Sequence, residues 1–291
     1  MRVREPVVAG QFYPQEEARC AGDLATLLAD ATAGLDRGAY LYGGLVPHAG
    51  WMCSGRVAAR AFAALAQVRH PAVIVLFGGV HRSRGREAAV FADGRWETPI
   101  GPANIDHRLA ERILGQSNLL IDDPYAHELE HSLEVQVPFL LHLFPEATFV
   151  PIMVPPSERA TEVGQAVGRT LEAYQYDALV VGTTDLTHYG PNYGLVSHGV
   201  GKEGNHWAKE QNDRRFVELV CSMDADGLVP EALTNRNACS SGAAAATVAT
   251  VAHLGAKRGV LLEHTTSSEV LGDRFPGECN DSVGYAGIVF A

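Results

Sequence analysis

Several side chains that can bind a metal or transfer a proton follow directly after apolar runs of the chain. The histidines His48 and His81, and the pair Asp185 and His188, each come after such a run. Short apolar runs bounded by turn residues are typical of strands buried on both faces of a sheet. In α/β proteins, ligands bind beyond the carboxyl ends of these strands. For one histidine alone, a hydrogen-bonded turn residue is the simpler interpretation, but the repetition favours a shared site.

Cys239 is a further candidate, because it lies at the start of a predicted helix rich in Ala, Val and Thr over residues 243–254. Unpaired N–H groups and the helix dipole at such a position favour a thiolate. Two imidazoles with one thiolate or carboxylate make a site for a borderline divalent metal with an open face. The alternatives are a buried, unreactive cysteine and a salt-linked pair of Asp185 and His188.

Predicted strands and helices alternate along the chain, which indicates a single α/β domain over residues 1–291 without linkers or repeats. Apart from a first strand that ends at Pro47, the predicted strands span 73–77, 88–92, 148–154, 178–181, 260–263 and 283–290. The predicted helices span 15–31, 54–68, 106–114, 132–144, 157–174, 206–223 and 243–254.

Individual residues and short segments predict where some helices begin or bend and which segments line a site. Ser54, Asp106 and Ser132 are expected to cap helices, and Pro138 is expected to bend one. The polar residues 130–136 ahead of an apolar helix indicate that its N-terminal end lines a site. Residues 190–205, rich in Gly, Asn and His, are predicted to be a long loop that serves as a lid.

Composition argues against several classes of protein. The net charge of −11 argues against nucleic acid and anionic membranes as partners, since both attract basic patches. Five widely spaced cysteines without a C-x-x-C pair do not suggest a disulfide framework or a structural zinc knuckle. Neither a membrane-spanning apolar segment nor a signal-peptide core is found, so we expect a cytoplasmic protein. The motifs of serine hydrolases and phosphate-binding loops are also absent.

The chain resembles the MEMO family, known in microbes as AmmeMemoRadiSam system protein B. The segments that carry the resemblance are Ala9–Pro14, Pro47–Trp51, Gly79–His81, Glu130–Phe139, Thr184–His188 and the residues around Cys239. That family is similar in fold to the LigB-type class III extradiol dioxygenases. These enzymes cleave catechol rings with O2 at an Fe(II) held by two histidines and a carboxylate, and the MEMO family has cysteine in place of the carboxylate.

The resemblance implies a LigB-like α/β/α domain with a mixed β-sheet core flanked by helices. It implies that His48, His81 and Cys239 bind the metal, that Asp185 and His188 line the pocket, and that His188 matches the dioxygenase base. In two places the chain departs from the family pattern. Val80 stands where an asparagine is usual, which removes a polar pocket group, and Ser240-Ser241 follow the cysteine where a glycine is common.

Three functions follow as hypotheses. The first is a non-haem oxygenase, with Fe(II) as the favoured metal and copper or zinc as alternatives, acting on a small molecule such as a phenol. The second is a non-catalytic metal- or redox-binding protein that works with the radical SAM and AMMECR1-like partners implied by the family name. The third is a zinc hydrolase. Because soft thiolate ligands favour Cu(I) or zinc, the cysteine is unusual for an iron oxygenase.

Overall fold

A large mixed β-sheet forms the centre of the protein in a computed structural model that describes residues 2–31, 40–82, 85–272 and 279–291. The strands are β1 (Val3–Arg4), β2 (Gly43–Val46), β3 (Val73–Gly78), β4 (Ala88–Val90), β5 (Arg95–Trp96), β6 (Ala103–Asn104), β7 (Leu120–Asp122), β8 (Thr148–Met153), β9 (Ala178–Thr183), β10 (His188–Tyr189), β11 (Gly259–Thr266) and β12 (Ser282–Phe290). Within the described ranges, nine strands form the large sheet in the order β10-β12-β2-β9-β3-β8-β4-β7, with β11 also paired to β12. Strands β1, β5 and β6 form a separate small sheet.

Helices lie on both faces of this sheet. They are α1 (Glu17–Ala29), α2 (Trp51–Ala66), α3 (His107–Gln116), α4 (Pro124–His127), α5 (Val137–Leu143), α6 (Ala160–Ala173), α7 (Lys202–Trp207), α8 (Arg214–Cys221), α9 (Ala225–Asn235), α10 (Ser241–Leu254) and α11 (Ser267–Gly272). Short 3-10 turns occupy Glu134–Gln136 and Pro191–Tyr193, and a π-helical turn, Ala208–Asp213, joins α7 to α8.

The four central strands β2, β9, β3 and β8 run parallel, so their carboxyl ends meet at one edge of the sheet. The register places Val46 of β2 beside Thr183 of β9, and Phe77 of β3 beside Gly182. Each strand is buried along nearly its whole length, as the continuous apolar runs predicted. The α/β class with a mixed sheet flanked by helices is therefore confirmed.

Alternate residues of the central strands pack against different helical layers. In β3, Val75 and Phe77 face a cluster that includes residues of α6, α9 and α10, whereas Ile74 and Leu76 face one that includes residues of α1, α2 and α5. Because side chains alternate along a strand, apolar residues at every position fill both layers. This rigid core fixes the edge at which the candidate residues lie.

Some predicted helix starts differ from the structure. Helix α2 begins at Trp51, not at Ser54, because the N–H of Trp51 donates to the carbonyl of Phe12 at 2.7 Å, while the hydroxyl of Ser54 donates to Ala49. The predicted helix over 132–144 is a 3-10 turn followed by α5, in which Pro138 occupies the first turn, where proline is tolerated, and does not bend a longer helix. Asp106 caps α3 as expected, accepting the N–H of Leu109 at 2.8 Å.

Other elements were missed or merged in the sequence analysis. The predicted helix over 206–223 is interrupted by the π-helical turn, and α7 begins at Lys202, which shortens the predicted loop. Helix α9 and the two-residue strands of the small sheet have weak apolar periodicity and were not predicted. All five cysteines are free thiols. Among the described residues, no helix combines the length and apolar character needed to cross a bilayer.

Candidate metal centre

His48 follows β2 and is almost fully buried. Its Nδ1 lies 2.9 Å from Oγ1 of Thr183, which in turn accepts a hydrogen bond from the side-chain amide of Gln136 at 3.2 Å. With Nδ1 bonded to this hydroxyl, Nε2 is directed towards Sγ of Cys239, 3.2 Å away. Burial, together with the neighbouring imidazoles of His81, His131 and His188, lowers the pKa of His48 well below its usual value. The ring is therefore neutral and able to act as a ligand.

His81 follows β3 and is held by the buried carboxylate of Glu130. This carboxylate accepts the backbone N–H of His81 at 2.8 Å and lies 2.8 Å from Nδ1 of the ring. Burial lowers the pKa of His81, but hydrogen bonds to Cys239 and Glu130 outweigh this effect and raise it to about 10, so a metal that binds Nε2 must displace a proton. At Glu130, burial raises the pKa, but the hydrogen bonds and charge of His81 outweigh burial and lower the pKa to about 2. A carboxylate on Nδ1 is the usual partner of a metal-binding histidine, because it orients the ring and increases its basicity.

Cys239 lies just before Ser240, the N-cap of α10, and is partly exposed. Its Sγ accepts the backbone N–H of Asp185 at 3.3 Å and is 3.6 Å from the hydroxyl of Ser240. The loop is tied to the end of β9, since the N–H of Cys239 donates to the carbonyl of Asp185 at 3.1 Å. These contacts hold the sulfur beside Nε2 of His48.

A glycine allows the cysteine loop to approach β3 closely. A Cβ atom on Gly79 would lie 2.0 Å from Oγ of Ser240 and 3.0 Å from Cε1 of His81. The N–H of Gly79 donates to the hydroxyl of Ser132 at 3.1 Å, so Ser132 binds this strand end and does not cap a helix. Gly79 therefore permits the loops that carry His81 and Cys239 to pack together.

His131 is a third histidine at this site, and the sequence analysis did not single it out. Nitrogen atoms of His48, His81 and His131 all lie within 4.8 Å of one another. The ring of His131 is 4.6 Å from that of His81, centroid to centroid, and burial together with the His81 imidazole lowers its pKa. The polar segment 130–136 was expected to line a site, but no spacing rule distinguished His131 from its neighbours.

Asp185 and His188 lie near the centre but do not bond to each other within the described structure. The Asp185 carboxylate accepts the backbone N–H of His48 at 2.7 Å, and burial raises its pKa to about 7. The His188 ring stacks on Tyr193, with centroids 5.0 Å apart and planes at 22°. Burial and the imidazoles of His81 and His131 lower the pKa of His188 to about 4. Asp185 thus positions the backbone of His48, and His188 is a neutral imidazole at the rim.

The predicted lid contributes the ring that covers His188. Two carbonyls of this loop, those of Tyr193 and Gly194, accept hydrogen bonds from the guanidinium of Arg236 at 2.9 and 3.0 Å. At its other end, the hydroxyl of Tyr189 donates to the carbonyl of Gly199 at 2.9 Å. These bonds hold the loop in its present position. Its opening and closing remain a prediction.

The donor atoms suit a metal ion. Ligand atoms at roughly 2.0–2.3 Å from a tetrahedral metal lie about 3.5 Å apart, close to the separation of Nε2 of His48 from Sγ of Cys239. The Nδ1 atoms of His48 and His81 are bonded to Thr183 and Glu130, which leaves Nε2 of each ring for a metal. Of the described residues, the three histidines form a group that could hold a metal ion, and Cys239 lies beside His48.

Comparison with known families gives a match over nearly the whole chain. A family model described as Memo-like protein matches residues 4–289. A MEMO1 family protein of Methanopyrus kandleri is 34% identical over 298 residues, covering 99% of this chain and 98% of the relative. One from Pyrobaculum arsenaticum is also 34% identical over 298 residues, covering 100% of this chain and 99% of the relative.

Among solved structures, the chain is similar to an uncharacterized protein of Escherichia coli K12. The TM-score is 0.52, with 12% sequence identity, and the match covers 87% of this chain and 100% of the other. At this identity the similarity extends to the fold alone.

Proposed function

The chain belongs to the family of Memo-like proteins, and we propose that it is a non-haem, iron-dependent oxygenase acting on a small phenolic molecule. The observation that supports the proposal most strongly is the meeting of two imidazoles and a thiol at the carboxyl ends of parallel strands. Nε2 of His48 lies 3.2 Å from Sγ of Cys239, and ring nitrogen atoms of His48 and His81 lie within 4.8 Å of each other. Protein side chains would take only three coordination positions of the metal, so an open face would remain for small molecules.

In this proposal His48, His81 and Cys239 hold the metal. A bound Fe(II) supplies the redox chemistry with O2 that amino-acid side chains lack. Thr183 and Glu130 keep the two imidazoles oriented through Nδ1, and Asp185 holds the backbone that carries His48. The protein thus orients the imidazole ligands through groups outside the metal's own coordination shell.

His188 is the group that would take the proton from a phenolic hydroxyl. With its pKa lowered to about 4, the imidazole is neutral near pH 7 and has a free lone pair. The parallel ring of Tyr193 fixes the plane of the imidazole and covers one of its faces. A planar substrate would then approach from the face directed away from Tyr193.

The sulfur favours a second candidate function, that of a metal- or redox-binding protein without turnover that acts with radical SAM and AMMECR1-like partners. The N–H of Asp185 and the hydroxyl of Ser240 hold Sγ in place, and cysteine sulfur is a soft ligand. Such a ligand is preserved in a reducing compartment, and we propose the cytoplasm as its location.

Purification without oxygen, followed by metal analysis, tests these proposals. Bound iron, with consumption of O2 that depends on an added catechol, supports the oxygenase. Tightly bound copper without O2 consumption on any phenol of a panel overturns it in favour of the second function. Zinc with hydrolytic activity would contradict both proposals and support a zinc hydrolase.

A further inference from the structure

The π-helical turn between α7 and α8 places two adjacent polar residues in the protein interior. Asn212 is 1% exposed and Asp213 is fully buried. A regular helix directs neighbouring residues about 100° apart, whereas the wider π turn brings both of these side chains inward. Single π turns inside longer helices occur frequently at functional sites. Neither residue takes part in the functions proposed above.

Asp213 binds the loop that carries His188. Its Oδ1 accepts the backbone N–H of Thr187 at 2.9 Å, and its Oδ2 lies 3.1 Å from Nε2 of His264 on β11. Gly284 of β12 makes room for this carboxylate, since a Cβ there would lie 2.0 Å from Oδ2. The carboxylate therefore fixes the backbone between Asp185 and His188.

Asn212 joins the same loop to the segment that leads to Cys239. Its side-chain amide donates to Oγ1 of Thr187 at 3.1 Å and to the carbonyl of Asn235 at 2.9 Å. In addition, the side-chain amide of Asn237 donates to the backbone carbonyl of Asn212 at 2.9 Å. Asn237 is buried and lies two residues before Cys239.

We propose that Asn212 and Asp213 are positioning residues that hold the His188 loop and the Cys239 loop in one fixed relation. The His188 loop binds to both residues, and the segment that leads to Cys239 binds to Asn212. The two loops also bind each other, through the N–H of Cys239 to Asp185 and the N–H of Ser240 to Thr184 at 3.0 Å. A displacement of either loop would change the distance from Sγ of Cys239 to Nε2 of His48. This inference rests on the proposed role of Cys239 as a metal ligand.

The smallest change that breaks this network is Thr187→Val, which removes the hydroxyl that accepts from Asn212 and keeps the backbone N–H that donates to Asp213. Thr187→Ser restores the hydroxyl. Thr170→Val is the matched control, because Thr170 is a buried threonine of α6, outside both loops, whose hydroxyl donates to Ala166 at 2.9 Å. Asn237→Ala removes the second connection independently.

Titration of the metal-free protein with Co(II) reports the site without any turnover, since a thiolate bound to cobalt gives a charge-transfer absorption. We expect Thr187→Val and Asn237→Ala to weaken Co(II) binding by about tenfold and to shift or weaken this band, as changes around metal ligands commonly do. Thr187→Ser and Thr170→Val should bind as the unchanged protein does, although Thr170→Val loses a similar hydrogen bond.

Three other results would each contradict a different part of the proposal. If Thr187→Val and Asn237→Ala both bind Co(II) with unchanged affinity and an unchanged absorption band, the positioning role is wrong, but the metal site is still supported. If the unchanged protein shows no sulfur-to-cobalt band, Cys239 is not a ligand, and the proposed function fails together with this inference. A loss of binding in Thr170→Val equal to that in Thr187→Val would mean that general stability, not loop position, controls the site.

Discussion

The sulfur of Cys239 lies 3.2 Å from Nε2 of His48, although the two residues are 191 positions apart in the chain. His48 follows one of the parallel strands of the mixed sheet, and Cys239 precedes a helix that packs against that sheet. A separation this short between two metal-binding atoms is close to that in a tetrahedral site.

The first prediction separates the two possible ligand sets. Cys239→Ala should weaken metal binding by about 100-fold or more, whereas His131→Ala should change it only slightly, if the cysteine is the third ligand. Isothermal titration with Fe(II) under anaerobic conditions measures this, with Cys221→Ala as a control at a partly buried cysteine outside the site. The reverse order of effects would assign the metal to His48, His81 and His131.

The second prediction concerns His188. His188→Ala should leave the metal affinity within a few-fold of the original and abolish any catalysed O2 consumption, because a general base contributes to proton transfer and not to metal binding. His198→Ala is the control, since His198 also stacks on an aromatic ring, that of Trp207 at 3.8 Å between centroids. A large loss of metal in His188→Ala would instead make this histidine a ligand.

A third prediction tests the carboxylate that holds His81. Glu130→Gln keeps the shape of the side chain but removes its charge, so we expect metal affinity to fall by roughly 10–100-fold. Glu172→Gln is the matched control, because Glu172 makes a similar contact with His253 at 2.9 Å on the protein surface. Equal metal affinity of the two variants would show that the Glu130 contact is structural only.

Gly79 gives a fourth prediction, based on the close contact between two loops. In Gly79→Ala, the new methyl group would overlap Oγ of Ser240, so we expect a loss of roughly 1–3 kcal/mol in the free energy of unfolding and weaker metal binding. At Gly115 in α3, a new Cβ would have no atom within 4 Å apart from the adjacent residues and the backbone of its own helix, so Gly115→Ala should be neutral or stabilise the helix by up to about 1 kcal/mol. Chemical denaturation of both variants measures the difference, and similar values would contradict the packing argument.

The fifth prediction concerns pH and a histidine away from the candidate metal ligands. His127 is fully buried, and burial lowers its pKa from 6.5 to about 3. Between these values the unfolded chain binds a proton that the folded protein does not, so this residue makes the protein less stable as the pH falls. The contribution reaches about 1.4 kcal/mol per pH unit for one proton.

His127→Gln should remove this dependence, because the glutamine amide can still donate to the carbonyl of Ala89 as Nε2 does at 3.1 Å. The free energy of unfolding, measured by denaturation from pH 7 to pH 4, should fall less steeply in His127→Gln than in the original chain. His70→Gln, at an exposed histidine, serves as the control and should leave the slope unchanged. Parallel slopes for all three proteins would mean that His127 takes up a proton in the folded state.

The sequence alone determined the α/β class and the strands that carry His48, His81 and Asp185. Continuous apolar runs such as Val73–Phe77 are a local property, and only a sheet covered on both faces can bury them. The order of the strands in the sheet, by contrast, is not a property of any one segment of the sequence. The neighbouring positions of β2, β9 and β3 bring the three chain segments together, and they depend on how helices pack across the whole sheet.

The tertiary structure decided which polar side chains bond to which. The sequence placed Asp185 and His188 on one turn, but only the packed loops direct the Asp185 carboxylate to the backbone of His48. The tertiary structure also brought His131 to the other histidines, because the chain entering α5 crosses the end of β3, where Ser132 binds Gly79. Contacts between distant segments have no period in the sequence. They arise when burial leaves each polar group with only a few partners within hydrogen-bonding distance.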